Sequence, residues 1–258
     1  MKNYRILSRI GLAAFFSGLL IAEIIIFAHT GFFCRMSHQR NKASMKAQIG
    51  GVVFFGRYEQ DDDLSNGPED IEWIVLDKQD ERLLMTTLHV LDKSIWGDGA
   101  WEESRIRQKL NQAFFFSAFC QAERNMIVPT CIFTEDQNNL KEGGITEDRV
   151  FILNMEEAEK YLLLNENRIA YMTRYADDFG WYDVWDGPPG TLFDELFKKP
   201  VPDYPEIWWL RTKGGEPDHI AYVNQNGQID KAGQSIDTDA GIRPVIWIDL
   251  SNGGIGGD

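Results

Sequence analysis

The chain has 258 residues, of which 43% are apolar, and its eight Trp and sixteen Phe can fill a buried core, so the composition excludes general disorder. Its charge is divided unevenly: residues 1–46 carry seven Lys/Arg and one Glu, whereas the remainder carries 19 Lys/Arg and 39 Asp/Glu. A domain with a net charge of −20 is repelled by phosphate backbones, so we exclude nucleic acid as its partner.

The first predicted element is a membrane-spanning helix over residues 10–33, which follows a basic segment, residues 1–9. At about 1.5 Å per residue, this almost wholly apolar run reaches about 36 Å and can cross a bilayer. Glu23 costs roughly 2.5–3.5 kcal/mol on insertion scales, which the surrounding Leu, Ile and Phe outweigh. The alternative is a cleaved signal peptide, but its apolar region is normally about 7–15 residues long, and residues 28–30 are a poor cleavage site. We therefore predict an uncleaved anchor.

The charges beside this helix do not decide its orientation. Three Lys/Arg precede the helix and four follow it in the juxtamembrane linker, residues 34–48, so the positive-inside rule is nearly balanced. We expect a single-pass protein of the cell membrane whose domain lies outside the cell, with the membrane and an extracellular ligand of unknown identity as its partners. The alternative is a regulatory domain that faces the cytoplasm.

The globular domain, residues 49–250, opens with strands. Residues 49–55 form an apolar run, and residues 71–75 alternate apolar and polar side chains. We expect residues 83–87 to pair with 71–75 in a hairpin. An acidic turn, residues 61–68, separates the first two runs.

Helices occupy the middle of the domain. One is predicted to begin near Ser104, a suitable N-cap, because apolar residues follow it at helical spacing. A second is predicted over residues 117–127. A third follows Asn154, which forms the pattern of a capping box with Glu157.

After an irregular stretch, residues 174–206, the chain returns to strands. These strands are predicted at residues 208–211, 220–223 and 242–248, with a tight turn at Asn226-Gly227. The tail, residues 251–258, is rich in Gly and predicted to be disordered. Short strands around a few central helices indicate one α+β domain.

The sequence contains no recognisable catalytic set. Beyond the linker the histidines are His89 and His219, and neither a Gly-x-Ser-x-Gly elbow nor a Gly-rich phosphate loop is present. Cys120 and Cys131 have apolar neighbours and are interpreted as buried thiols, with a disulfide between them as the alternative. We expect no enzymatic activity and no cofactor.

Two acidic groups are weak candidates for calcium ligands. Carboxylates in Glu216-Pro217-Asp218 and Asp237-x-Asp239 supply the oxygen atoms that calcium prefers. The first group also looks like the sugar-contacting tripeptide of calcium-dependent lectins, but the companion Trp-Asn-Asp tripeptide is missing. We therefore interpret both groups as solvated loop charges and predict no metal site.

Aromatic side chains supply the candidate ligand site. Trp181, Tyr182 and Trp185 lie in a polar, irregular loop, so their rings are candidates for stacking on a sugar or a peptide. Trp208 and Trp209, in contrast, lie next to apolar residues and are predicted to belong to the core.

Groups of residues along the domain share their order and spacing with a known family. They are Gly56-x-Tyr58-x-Gln60, Glu72-Trp73-x-Val75-Leu76-Asp77, Leu91-Asp92, Trp101-x-x-Ser104-x-x-Arg107-x-x-Leu110-Asn111, Thr146-x-Asp148-x-Val150-Phe151-x-Leu153, Trp208-Trp209-Leu210-Arg211 and Gly241-Ile242-Arg243-Pro244-x-x-Trp247-Ile248. These groups resemble the DUF6273 domain, a bacterial family of unknown function, over roughly residues 49–249.

The resemblance implies a single α+β domain similar to the C-type-lectin and formylglycine-generating-enzyme fold, whose members end in a similar Gly-x-Arg segment. Proteins of this fold bind ligands through loops, so the resemblance favours a non-enzymatic ligand-binding module. The alternative is an enzyme of the formylglycine-generating type, intact or degenerate. That activity needs a cysteine pair late in the fold, and this chain has no cysteine after Cys131.

Three arginines within the family-like groups are predicted to be structural. Arg107, Arg211 and Arg243 each follow apolar or aromatic residues, against which an arginine can pack its stem. The candidate partners for their guanidinium groups are Ser104, Thr146 and Asp148. The alternative is that the three arginines form a cluster that binds an anion.

Overall fold

A computed structural model describes residues 48–134, 144–177 and 204–253. The chain divides into two units, Met1–Ala43 and Ser44–Asp258, and every described residue lies in the second. No helix in these three stretches is long and apolar enough to cross a membrane. The predicted anchor, residues 10–33, lies outside the described residues.

The described domain combines β-sheets with short helices and is of the α+β class. Its first sheet has four antiparallel strands in the order β1-β2-β3-β11. Their bounds are Val52–Tyr58 for β1, Glu69–Gln79 for β2, Arg82–Thr87 for β3 and Val245–Asp249 for β11. The predicted hairpin is confirmed, because β2 pairs with β3. Alternation along β2 buries Ile71, Trp73 and Val75 on one face.

A second sheet has five strands in the order β4-β10-β7-β8-β9. Their bounds are Asp92–Ser94 for β4, His219–Val223 for β8, Ile229–Ser235 for β9, Ala240–Ile242 for β10 and Trp208–Lys213 for β7. Neighbours are antiparallel except β10 and β7, which run parallel. Strands β5, Thr130–Phe133, and β6, Ile145–Asp148, form a separate antiparallel pair.

The predicted strand over residues 242–248 is wrong, because it is two strands in two sheets. Ile242 pairs with Asp92 in the second sheet, whereas Val245 pairs with Thr86 in the first. Between them lies Pro244, which has no backbone N–H to donate to a ladder. The apolar run therefore crosses from one sheet to the other.

Short helical segments connect the sheets. In chain order they are the 3₁₀ turn Trp101–Glu103, the α-helix Arg105–Lys109, the π-helical turn Leu110–Phe114, the α-helices Phe115–Ala118, Gln121–Met126, Met155–Tyr161 and Asn165–Arg168, and the 3₁₀ turn Leu250–Gly253. Two predicted helix starts are confirmed. Ser104 Oγ accepts from the Arg107 N–H, and Asn154 exchanges hydrogen bonds with Glu157 in a capping box.

The predicted helix over residues 117–127 is confirmed for Gln121–Met126 but does not begin at residue 117, because the chain leaves helical geometry at Phe119. This residue is extended, with φ −123° and ψ 131°, which turns its buried ring towards Gly56. Gly56 has φ +70°, and a Cβ there would lie 2.6 Å from the Phe119 ring, so the position favours glycine. A new helix then starts after Cys120, whose N–H donates to Glu123 Oε2 at 2.9 Å.

Five tryptophans dominate the core. Their side chains are almost inaccessible to solvent, and each indole N–H donates to an oxygen of the chain; they are Trp73, Trp96, Trp101, Trp208 and Trp209. The prediction that Trp208 and Trp209 belong to the core is thus confirmed. Buried indoles with satisfied donors fix the two sheets and the Trp101–Glu103 turn in one arrangement.

The interpretation of Cys131 as a buried thiol is wrong. It is a free cysteine and is exposed, so the alternative of a disulfide with Cys120 is also wrong. The strand β5 alternates, and Ile132 is the residue that it buries. The predicted disordered tail, residues 251–258, begins too early, because the last 3₁₀ turn, Leu250–Gly253, includes its first three residues. Leu250 N–H donates to Glu81 O at 2.8 Å at the start of this turn.

Candidate functional site

The site residues that the sequence predicts are either outside the described residues or exposed on the surface. Trp181, Tyr182 and Trp185 lie outside the described residues. The weak calcium candidates Glu216, Asp218, Asp237 and Asp239 are all exposed. Asp218 Oδ1 lies 3.0 Å from His219 Nδ1, and this hydrogen bond lowers the pKa of Asp218.

Within the described stretches, a different set of carboxylates comes close enough to share a cation. Glu59, Asp61 and Glu69 lie around the acidic turn. Two of these carboxylates already accept backbone N–H groups: Glu69 from Gln60 at 2.7 Å and Glu59 from Asp63 at 3.1 Å. Burial and the nearby Glu69 raise the pKa of Glu59. These hydrogen bonds stabilise the acidic turn, so the structure of the turn explains why the three carboxylates lie close together.

Asp148 accepts hydrogen bonds from three side chains next to the Trp101–Glu103 turn. Its fully buried carboxylate accepts from Arg107 Nε at 2.7 Å, from Trp101 Nε1 at 2.8 Å and from Thr146 Oγ1 at 2.7 Å. Arg107 Nη1 also donates to Glu102 O at 3.1 Å. This network fixes the backbone of Glu102.

Arg211 holds the end of strand β5. It donates through Nε to Ile152 O and through Nη1 to Phe133 O, each at 2.9 Å, and its Nη2 pairs with Glu157. Burial lowers the pKa of Arg211, and the carboxylate of Glu157 opposes that shift. Because Phe133 precedes Thr134, these contacts also fix the position of Thr134.

Arg243 is the most deeply buried of the three arginines. It donates through Nε and Nη2 to Thr87 O, at 3.1 and 2.8 Å, and lies over the Trp208 ring at 4.9 Å. Its Nη1 is buried and has no hydrogen-bond partner in the part of the chain that the structure describes. Burial lowers the pKa of Arg243 to about 10. The three guanidinium groups thus have separate acceptors within the domain.

A cavity of about 460 Å³ lies beside the Asp148 and Arg211 contacts. We call it the Glu102 cavity; its polar and charged lining side chains are Glu102, Thr134, Arg211, Lys213 and Asp218, and Gly144 also lines it. Its volume falls in the range of roughly 300–1,000 Å³ that small-molecule sites occupy. Strand β7 supplies Arg211 and Lys213, whereas the 3₁₀ turn supplies Glu102.

Two polar atoms of this cavity are buried and have no hydrogen-bond partner among the described residues: Glu102 Oε2 and Thr134 Oγ1. Thr134 N–H donates to Gly144 O at 3.0 Å. A Cβ on Gly144 would lie 2.2 Å from Glu102 Oε1, so a side chain at this position would displace the carboxylate of Glu102. Gly144 therefore brings Glu102 and Thr134 to the same part of the cavity.

Lys213 adds a positive charge to the lining. It is half-buried, and among the described residues its ammonium group has neither a hydrogen bond nor an ion pair. The cavity thus offers an acceptor at Glu102, a hydroxyl at Thr134 and a donor at Lys213. These groups suit the recognition of a polar ligand.

Two other hollows are more open. One, of about 630 Å³, is lined by Lys93 and Lys109, which pair with Glu206 and Asp92. The other, of about 750 Å³, is lined by three arginines and two phenylalanines: Arg82, Arg124, Arg149, Phe115 and Phe116. Arg82 pairs with Asp249, and Arg124 lies over the Phe116 ring. These lysines and arginines already have partners within the domain. Arg105 and Asp239, which also line the first hollow, are exposed to solvent.

Sequence reasoning singled out Arg211 and Asp218 for other roles but missed Glu102, Thr134, Gly144 and Lys213. Glu102 lies inside the family-like group that begins at Trp101, but an exposed-looking Glu-Glu pair gives no sign of burial. Gly144 and Lys213 carry no local signal. They meet Glu102 only because β6 and β7 pack beside the 3₁₀ turn.

A protein-family model described as "Domain of unknown function (DUF6273)" matches residues 79–250. The match covers more than half of the chain and includes Glu102, Thr134, Gly144 and Lys213. No curated protein and no solved structure matches the chain.

Proposed function

The chain belongs to the DUF6273 family, and we propose that it is a non-enzymatic ligand-binding module, held at a membrane, that takes a small polar ligand in the Glu102 cavity. The observation that carries the proposal is a pair of buried atoms in this cavity, Glu102 Oε2 and Thr134 Oγ1, to which no group in the described stretches of the chain is hydrogen-bonded. Buried polar groups in folded proteins nearly always have a hydrogen-bond partner, so two unsatisfied polar atoms in one cavity favour a bound ligand as that partner.

The energetics favour a bound partner. A buried polar group without a hydrogen bond costs about 1–3 kcal/mol, and an ionised group costs more. A ligand that donates to Glu102 and Thr134 removes both costs at once. Because Arg107 and Arg211 fix the backbone on either side of the cavity, little additional ordering is needed on binding.

The membrane attachment is supported by sequence alone. Residues 10–33 form an apolar run of bilayer length, and we assign the anchor to them and the domain to the outside of the cell. Carbonate-washed membranes of expressing cells should retain the full-length protein, and external protease should remove the domain from intact cells. A soluble form that starts near residue 31 or 35 would contradict the anchor, and full protection would reverse the orientation.

The relation to the C-type-lectin and formylglycine-generating-enzyme fold is also part of the proposal. Its support is the segment Gly241-Ile242-Arg243-Pro244, in which the chain passes between the two sheets and Arg243 is buried. An experimental structure that superimposes on that fold would support the relation, and a different strand order would refute it.

Turnover of a thiol-containing peptide would favour the enzymatic alternative, an enzyme of the formylglycine-generating type.

A ligand screen tests the binding function. Melting temperatures of the full-length protein in detergent are measured against a library of amino acids, sugars and short peptides. We expect at least one class to raise the melting temperature of wild type and of Glu166→Gln but not of Glu102→Gln. Glu166 is a suitable control because it is exposed and does not line the cavity. Equal stabilisation of Glu102→Gln would place the ligand elsewhere.

A further inference from the structure

The charges that line the Glu102 cavity divide into satisfied and unsatisfied groups. Arg211 pairs with Glu157, whereas the side chain of Asp218 is largely exposed, so solvent screens its charge. Glu102 and Lys213 have no ion-pair partner in the part of the chain that the structure describes, and they do not pair with each other. The half-buried part of the lining therefore holds one negative group, Glu102, and one positive group, Lys213, each without an ion-pair partner among the described residues.

The donors and acceptors of these groups specify what fits. Glu102 Oε2 can only accept, and Thr134 Oγ1 can accept beside it. An ammonium group has three N–H donors and can serve both atoms. Lys213 can only donate, so its counterpart is an acceptor that carries negative charge.

A neutral ligand fits the charges less well. Sugar hydroxyls can satisfy the hydrogen bonds of Glu102 and Thr134, but they leave both charges of the cavity uncompensated. A purely cationic ligand meets Lys213 with like charge, and a purely anionic ligand meets Glu102 with like charge. One positive and one negative group on the same molecule match the lining.

Resting on the binding function above, we propose that the ligand of the Glu102 cavity is a zwitterion of the amino-acid type. Its ammonium group donates to Glu102 Oε2 and Thr134 Oγ1, and its carboxylate accepts from Lys213. The cavity volume of about 460 Å³ accommodates a free amino acid or a short peptide with both termini free. Ile236 and Pro217 provide an apolar wall for its side chain.

Isothermal titration calorimetry with matched compounds tests this assignment. The full-length protein in detergent is titrated with free amino acids and dipeptides, with their N-acetyl derivatives, which lack the ammonium group, and with their amides, which lack the carboxylate. Neutral monosaccharides form a fourth set. We expect at least one free zwitterion to bind and both of its derivatives to bind at least tenfold more weakly.

Two variants distinguish a charge contact from a general loss of structure. In Glu102→Gln, the N-acetyl derivative should bind with the same affinity as the free zwitterion. In Lys213→Met, the amide should bind with the same affinity as the free zwitterion. A merely structural defect would weaken all compounds by the same factor. Glu166→Gln and Lys78→Met serve as controls, because both residues are exposed and do not line the cavity.

The outcomes separate this inference from the binding function. Sugar binding that Glu102→Gln abolishes would keep the cavity as a ligand site but overturn the zwitterion. Zwitterion binding that neither cavity variant changes would overturn both. Absence of binding by every free amino acid and dipeptide would overturn the zwitterion, and the broader screen would then decide the binding function.

Discussion

Replacement of Arg243 by methionine should cost far less stability than its replacement by alanine. Arg243 is fully buried, packs its stem against the Trp208 ring and donates twice to Thr87 O. No carboxylate neutralises it among the described residues, and burial lowers its pKa well below the usual value for arginine, to about 10. At about 1.4 kcal/mol per pKa unit, keeping this charge buried costs roughly 3 kcal/mol.

The two replacements remove different contributions. Alanine removes the stem and leaves a cavity against Trp208, which should cost about 3–5 kcal/mol. It also loses the same hydrogen bonds and the same buried charge as methionine, and these two effects roughly offset each other. Methionine retains most of the stem volume and loses hydrogen bonds worth roughly 1.5–3 kcal/mol, but it also removes the buried charge. The free energy of unfolding of Arg243→Met should therefore stay within about 2 kcal/mol of wild type.

Thermal unfolding followed by circular dichroism compares the two variants. For a domain of this size, about 1 kcal/mol shifts the melting temperature by roughly 2–4 °C, so alanine should lower it by roughly 6–20 °C. Methionine should lower it by only a few degrees. Equal destabilisation by both replacements would refute the reasoning, because the two variants differ only in the stem, whose packing against Trp208 would then contribute nothing.

Three further substitutions probe the contacts that build the cavity. Asp148→Ala leaves the donors of Trp101 and Thr146 without their acceptor, so thermal unfolding should show a loss of about 3–5 kcal/mol; a loss below about 1 kcal/mol would mean that water replaces the carboxylate. Arg211→Ala should likewise lower the melting temperature strongly and abolish ligand binding, and a stable variant that binds normally would contradict its role. Gly144→Ala should displace the Glu102 carboxylate and weaken binding at least tenfold in calorimetry, while its melting temperature changes by only a few degrees; unchanged affinity would show that Glu102 does not reach the ligand.

Local signals explain what the sequence could predict. The alternation of Ile71, Trp73 and Val75 defines one buried face without knowledge of the partner strand. Asn154 and Glu157 satisfy each other within one helical turn, so their pattern is also self-contained. Such features depend only on neighbours in the chain.

Contacts between distant parts of the chain explain what the sequence could not predict. Apolar residues on both sides of Pro244 form one run in the sequence, and only sheet pairing assigns Ile242 and Val245 to different sheets. Cys131 has apolar neighbours, yet the phase of strand β5 turns it outward. The Glu102 cavity joins residues from distant parts of the chain, and no local pattern announces their meeting.

The location of a bound ligand tests the central claim most directly. A crystal structure of the protein with the best compound from the screen would show which atoms the ligand contacts. We expect a ligand donor at hydrogen-bond distance, about 2.7–3.2 Å, from Glu102 Oε2 and from Thr134 Oγ1. A ligand bound at another surface, with Glu102 and Thr134 satisfied by groups of the chain itself, would contradict the account.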